Sequence, residues 1–306
     1  MCTTNCILMI RPIDFRFNAE TAINNTFQSE TLVDDLQGKT LQEFNQFVNM
    51  LQQHGVNVHV FNDTAYPATP DSIFPNNWVS FHEDGTVFLY PMFAINRRLE
   101  RRLDIIDDLS TRYKINTIVD LSYFEQEQKF LEGTGSMVLD RKEKIAYMCL
   151  SPRSHIEPFL TFCQKTGYQP VPFHSVDSRG YPIYHTNVMM CMGEFFCVIC
   201  EESIPDANER KGIRRAIHGT GREIIPISHT QLNHFTGNML QLKNKNNRNL
   251  LVLSEQAFRS LNHEQHKSLE QYTELIYAPL TFIEKNGGGS ARCMMAEIFL
   301  PPKEMA

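Results

Sequence analysis

Residues 286–299 read NGGGSARCMMAEIF: a glycine run, one serine, one arginine, one cysteine, then an apolar strand-like stretch. Taken alone, this is a turn before a core strand with a buried thiol, because free cysteine packs like a small hydrophobe. Its place in the chain makes it decide the fold. Four earlier stretches share its form, a small polar turn running into an apolar strand: PNNWVSF, GTGSMVLD, YHTNVMMC and FTGNMLQL. Each of those four continues through a polar reversal (HEDG, DRKEK, CMGE, KNKNNRN) into a second strand, the pattern of a hairpin. The fifth meets the end of the given sequence soon after. Its missing partner is predicted to be the N-terminal NCILMIRP, so that the first strand closes a ring.

Aligning Asn77, Ser136, Asn187, Asn238 and Cys293 gives steps of 59, 51, 51 and 55 residues. Between the turns the chain repeats a helix followed by a β-rich strand. In LQEFNQFVNMLQQHG, Phe44, Phe47, Val48 and Leu51 fall at i, i+3, i+4 and i+7, and Gly55 ends the helix. VNVHVF then reads as a strand. The same pairing predicts helices over 97–112, 154–166, 207–219 and 262–273, followed by the strands INTIVDL, YQPVPF, REIIPI and IYAPLTFI. The expectation is an α/β fold of five ββαβ units around a pseudo-fivefold axis, a single propeller domain over 1–306. Radial repetition leaves few exposed sheet edges and brings all five polar turns to one end of the axis.

Composition bounds the function. A chain of 306 residues with 42% hydrophobic and 21% charged residues can bury a sizeable core. A net charge of −6, with no compensating Lys/Arg run, argues against nucleic acid or an anionic membrane as partner. The opening MCTTNCILMIRP lacks a basic leader, and its apolar stretch is too short for a signal peptide or a membrane span. A cytoplasmic location is therefore expected, with the eight cysteines, Cys2 among them, reduced. Cys197 and Cys200 form a CxxC, but it lies inside the apolar run EFFCVICEE without a second pair, so it reads as core packing rather than a zinc site. His263 and His266 read as a solvated helix face. No metal or organic cofactor is expected.

The five turns deliver unequal chemistry. The first carries Asp71 and Asn77 in PDSIFPNNW, the second Glu132 in LEGTGS, and the third His185 and Asn187 in YHTN. The fourth gives Asn238, with His234 just upstream, and the fifth Cys293. A thiol, an imidazole and a carboxylate converging from separate units suit nucleophilic catalysis: the thiolate attacks, His185 moves protons, and the carboxylate orients imidazole or substrate. Thiolate formation needs nearby positive charge, expected from His185 as imidazolium and from Arg292. Singly, His185 also reads as a structural histidine and Glu132 as a turn cap. Their matching repeat positions favour catalysis.

In the same order along nearly the whole chain, PDSIFPNNW, LEGTGSMVL, YHTNV and GGGSARCMM resemble the motifs of the guanidine-modifying superfamily. That superfamily comprises arginine deiminases, dimethylarginine dimethylaminohydrolases and amidinotransferases, which share the five-bladed α/β propeller, or pentein, fold. The resemblance implies Cys293 as nucleophile, with His185 and Glu132 catalytic. LSPRSH resembles a segment whose arginine grips the substrate α-carboxylate, implying Arg153, and INRRLER a second such site, implying Arg97 with Arg98 as fallback. Asp71 is implied beside the α-amino group. The implied partner is a small amino acid, and a homo-oligomer is compatible with the sequence.

The chain departs from arginine deiminases at two positions. Where those enzymes usually hold the guanidinium with two further aspartates, this chain has Asn77 and Asn187. A buried guanidinium needs opposing charge, whereas asparagine complements the N–H donors and the C=O acceptor of a neutral ureido group. Asparagine is also common in turns for its local hydrogen bonds. The substrate-selecting reading points to citrulline, hydrolysed to ornithine, carbon dioxide and ammonia, and agrees with a resemblance to citrulline-utilisation hydrolases. The competing readings are an arginine deiminase or dimethylarginine dimethylaminohydrolase acting on a guanidinium, an amidinotransferase, and a non-catalytic propeller such as ribosome-binding initiation factor six.

Overall fold

A computed structural model describes residues 3–31 and 33–303; Cys2 lies outside them. Its frame is set by the apolar central strands, which are buried on both faces and must be covered on both. The described residues form five three-stranded sheets with one common plan: a central strand pairs antiparallel with its hairpin partner and parallel with the strand that follows the helix. Four hairpins fall where the reversals predict, at Val79–Phe81 with Thr86–Leu89, Val138–Asp140 with Ile145–Leu150, Met190–Met192 with Phe196–Ile199, and Leu240–Lys243 with Asn249–Ser254. In the fifth sheet Cys6–Arg11 pairs antiparallel with Ala296–Glu297, in the register Ile7↔Glu297 and Leu8↔Ala296, and parallel with Asn57–Asn62. The two ends of the sequence thus close the ring, giving the α/β propeller.

The helices lie against these sheets. Leu36–Gln53 starts at Asp35, whose side chain accepts from the Gly38 N–H, and stops before Gly55, which takes φ +83°. It buries Phe44, Phe47, Val48 and Leu51 in one apolar cluster with Ile7 and Met9 of the first strand. Fully burying four such side chains contributes roughly 6–12 kcal/mol of gross transfer energy. Ile156–Thr166, Ala207–Gly219 and His263–Glu270 repeat the arrangement.

Two predicted elements differ. The helix expected over 97–112 is broken: Asn96–Glu100 is a 3₁₀ turn and the α-helix is Leu103–Ser110, because Arg101 is extended between them. The strand expected through IYAPLTFI ends at Ala278, where Pro279 cannot continue the ladder, and Thr281–Gly287 is a helix. Cys197 and Cys200 are buried in the core, as the apolar run predicts. His263 is exposed, while His266 is half-buried, its Nε2 3.2 Å from the Phe258 carbonyl. Among the described residues no helix is long and apolar enough to cross a membrane.

Candidate active site

Four of the five polar turns are single helical turns: Pro75–Asn77, Gly133–Ser136, Thr186–Met189 and Ala291–Met294. Glu132 and His185 each sit at the position before such a turn, with non-helical backbone that throws the side chain toward the axis. There His185 Nε2 meets Glu132 Oε2 at 2.9 Å. An ionised carboxylate only accepts, so Nε2 carries the proton and Nδ1 is the basic nitrogen of the neutral ring. Gly135 permits this approach, since a Cβ there would lie 2.7 Å from His185 Nδ1 and 2.4 Å from Asn77 Nδ2.

Electrostatics fixes the protonation of the pair. Burial would raise Glu132, but Arg153, the His185 hydrogen bond and Arg97 hold its carboxyl well below the usual range. Burial lowers His185 to about 4 despite the pull of Glu132. The expectation of a resident imidazolium is corrected accordingly: at neutral pH the ring is uncharged. The expectation for Arg292 is corrected too. Its guanidinium donates to the Met295 carbonyl and to Glu297 Oε2, both at 2.9 Å, and is spent there rather than on Cys293.

One small cavity is lined by Asp71, Asn77, Arg97, Arg153, His185 and Cys293, with room for about one water (≈ 10 Å³). The sequence-derived residues therefore meet, except that Glu132 lies behind His185 and Asn187 reaches the cavity through Cys293, its Nδ2 3.5 Å from Sγ. Arg98 points elsewhere, donating to the Met92 carbonyl at 3.1 Å. His234 is exposed, its ring set against the Thr230 carbonyl at 2.8 Å.

The two arginines are already engaged. Arg97 clasps Glu100 through Nε and Nη2, both at 2.9 Å, and Nη1 donates to Asn77 Oδ1 at 2.9 Å. Arg153 donates to Asn24 Oδ1 at 2.7 Å and to the Thr21 carbonyl at 2.5 Å, and its guanidinium lies 4.9 Å from the Tyr184 ring centroid. Asp71 Oδ2 accepts from Asn18 and Thr21 at 2.8 and 3.0 Å, while Oδ1, buried, has no partner. Burial raises its pKa against the pull of Arg97.

Sequence reasoning missed three contributors. Glu100 sits three residues after Arg97, an i, i+3 signal that was available; burial pushes its carboxyl up to about 8 against Arg97. Asn238 was aligned with Cys293 in the repeat but given no role, and its Nδ2 lies 3.3 Å from Sγ. Residues 18–31 form a cover with no counterpart in the repeat. Asn25 donates to the Gly288 carbonyl, Gln28 to the Asn286 carbonyl, and the Thr31 N–H to Asn286 Oδ1. Among the described residues, no group of three or more His, Cys, Asp or Glu side chains could hold a metal ion.

The sequence profile of the family described as "N,N dimethylarginine dimethylhydrolase, eukaryotic" matches residues 11–300. Comparison with curated protein sequences gives no match. Among solved structures the chain is similar to ArgZ, an arginine dihydrolase from the ornithine–ammonia cycle in cyanobacteria. The TM-score is 0.76 at 17% identity, covering 97% of this chain but 41% of that one. Against the N-terminal domain of ArgZ bound to substrate the TM-score is 0.75 at 17% identity, covering 97% and 98%. The chain thus spans about two-fifths of full-length ArgZ and nearly all of that domain. A dimethylarginine dimethylaminohydrolase adduct with S-methyl-L-thiocitrulline gives a TM-score of 0.66 at 14% identity, covering 97% and 100%. At these identities the structural likeness is one of fold.

Proposed function

The chain belongs to the N,N dimethylarginine dimethylhydrolase family, within the guanidine-modifying pentein superfamily, and on that premise we propose that it is a cysteine-dependent C–N hydrolase acting on the ureido group of citrulline. The observation that carries the substrate is the state of Asn77. Its Oδ1 is turned to Arg97 Nη1, an obligate donor, and its Nδ2 donates to Asn76 Oδ1 at 3.0 Å with one N–H left over. The wall therefore offers a donor to whatever lies over Cys293. A guanidinium presents only donors, and would face this N–H unsatisfied. A ureido group presents a carbonyl oxygen to it.

In the reaction so proposed, Cys293 gives its proton to His185 and Sγ adds to the ureido carbon, with the oxyanion meeting the Asn77 N–H. His185 then protonates the departing nitrogen and the tetrahedral adduct collapses to an S-linked carbamoyl species. His185 next takes a proton from water as its oxygen attacks that carbon. The C–S bond breaks and restores the thiolate. Overall, one ureido group and one water yield ornithine, carbon dioxide and ammonia. Arg153 and the unpartnered Asp71 oxygen suit the α-carboxylate and α-amino groups; Arg97, clasped by Glu100, suits positioning of Asn77 instead. The reading treats 1–306 as one propeller domain with a small amino acid as its partner.

A second reading has arginine as the substrate on the same nucleophile, favoured by the likeness to an arginine dihydrolase. Glu132, held ionised, lies 3.5 Å from Arg97 and 3.6 Å from Arg153, and Asp71 lies 3.8 Å from Arg97, so an incoming cation meets acidic groups as well as guanidinium. The test is the double change Asn77→Asp with Asn187→Asp. Preference should move from citrulline toward arginine, and an unchanged kcat/KM ratio would refute the selection by amides.

A further inference from the structure

Neither cation expected at Cys293 serves it, since His185 is neutral and Arg292 is engaged by Met295 and Glu297, and the thiol is met by side-chain amides instead. Asn238 is fully buried and spans three turns of the ring. Its Oδ1 accepts from the Arg292 N–H at 3.0 Å, and its Nδ2 donates to the Asn187 carbonyl at 2.9 Å. One neighbour can only donate and the other can only accept, so the amide has a single orientation. That leaves the second Nδ2 hydrogen for Cys293 Sγ, 3.3 Å away, and the Asn187 amide adds a longer contact at 3.5 Å.

We propose that Asn238 is a positioning residue that stabilises the Cys293 thiolate, standing in with Asn187 for a cation at the nucleophile. This rests on the reading of Cys293 as nucleophile. A hydrogen bond to an ionised acceptor is roughly twice as strong as a neutral one, and burial strengthens it further; the amide oxygens of Asn238 and Asn187, which only a protonated sulfur could bond, lie farther off at 3.7 and 3.9 Å. The same amide holds the nucleophile turn through the Arg292 N–H, so one side chain sets both the position of sulfur and its charge. The other titratable groups facing the thiol are Tyr184, His185, Arg97, Arg153 and Asp71 across the cavity, with Glu284 bonded to Ser290 behind the loop and Arg292 turned to Glu297.

The two duties separate by substitution. Asn238→Asp keeps an oxygen for the Arg292 N–H but replaces the donor facing sulfur with a second acceptor. Asn238→Ala removes both. The measurement is the thiolate absorbance near 240 nm as a function of pH, wild type minus Cys293→Ser and each variant minus its own Cys293→Ser double, with folding checked by circular dichroism. The expected result is about tenfold less thiolate at pH 7 in Asn238→Ala and a larger loss in Asn238→Asp, with kcat falling and KM little changed. A thiolate curve unchanged in either folded variant, or a wild type without a Cys293 thiolate step, overturns the proposal; should Asn238→Ala not fold, Asn238→Asp decides. Failure of the underlying reading looks different: Cys293→Ser would then retain turnover.

Discussion

The repeated turns and the cover formed by residues 18–31 meet at one cavity, lined from the first, third and fifth turns with the second and fourth standing behind, but they are built on different logic. The turns are anchored in sheet edges, one per unit, and hold their side chains by bonds to one another, such as Glu132 with His185 and Asn238 with the Asn187 carbonyl. The cover has no sheet of its own. It is held by side chains reaching back to the backbone of 286–288 and by Thr21 and Asn18 on Asp71. Rigid elements fix reacting atoms; a segment held by a few hydrogen bonds is suited to closing over a ligand. Damage to the turns should therefore appear in kcat, and damage to the cover in KM.

The largest effect is expected from Cys293→Ala, a loss of kcat of at least about 10³-fold; turnover within tenfold of wild type would remove sulfur from the reaction. Next comes His185→Ala, with roughly 10²–10⁴-fold lost, and altered trapping of an S-linked species visible by mass spectrometry. Trapping that matches wild type in amount and rate would show that the ring moves no proton.

On the cover, Thr21→Val removes the hydroxyl donor to Asp71 and should raise KM by about two- to tenfold with kcat nearly constant. A loss confined to kcat would erase the distinction between the two regions. The smallest effect concerns Glu284, which burial pushes up to about 7 beneath the nucleophile loop. Its folded pKa lies above the unfolded value, so its contribution is complete below about pH 4.5 and is lost as pH rises through 7. Glu284→Gln should accordingly raise Tm by a few degrees at pH 8 relative to its effect at pH 4.5, read by calorimetry. A pH-independent change would place the proton elsewhere.

The same contrast explains what the sequence revealed. The ring was legible because each unit repeats a 3.6-residue pattern and then a strand, and because Ala296–Glu297 lacked a hairpin partner that Cys6–Arg11 could supply. Glu132, His185 and Cys293 were legible as unlike residues in like positions. The directions taken by Arg292 and Arg97 were not, since Glu297 and Glu100 capture them through contacts that residue type alone does not rank. The protonation of His185 depends on burial, a property of the assembled cavity rather than of YHTN. The cover escaped because nothing in 18–31 repeats.

On the proposed function, this site presents a neutral ureido carbon to sulfur. Purified protein incubated in parallel with citrulline and with arginine, with ornithine, citrulline and ammonia quantified, tests it directly. Citrulline should yield equimolar ornithine and ammonia with a kcat/KM above that of any reaction of arginine. Citrulline left intact while arginine is converted would contradict it.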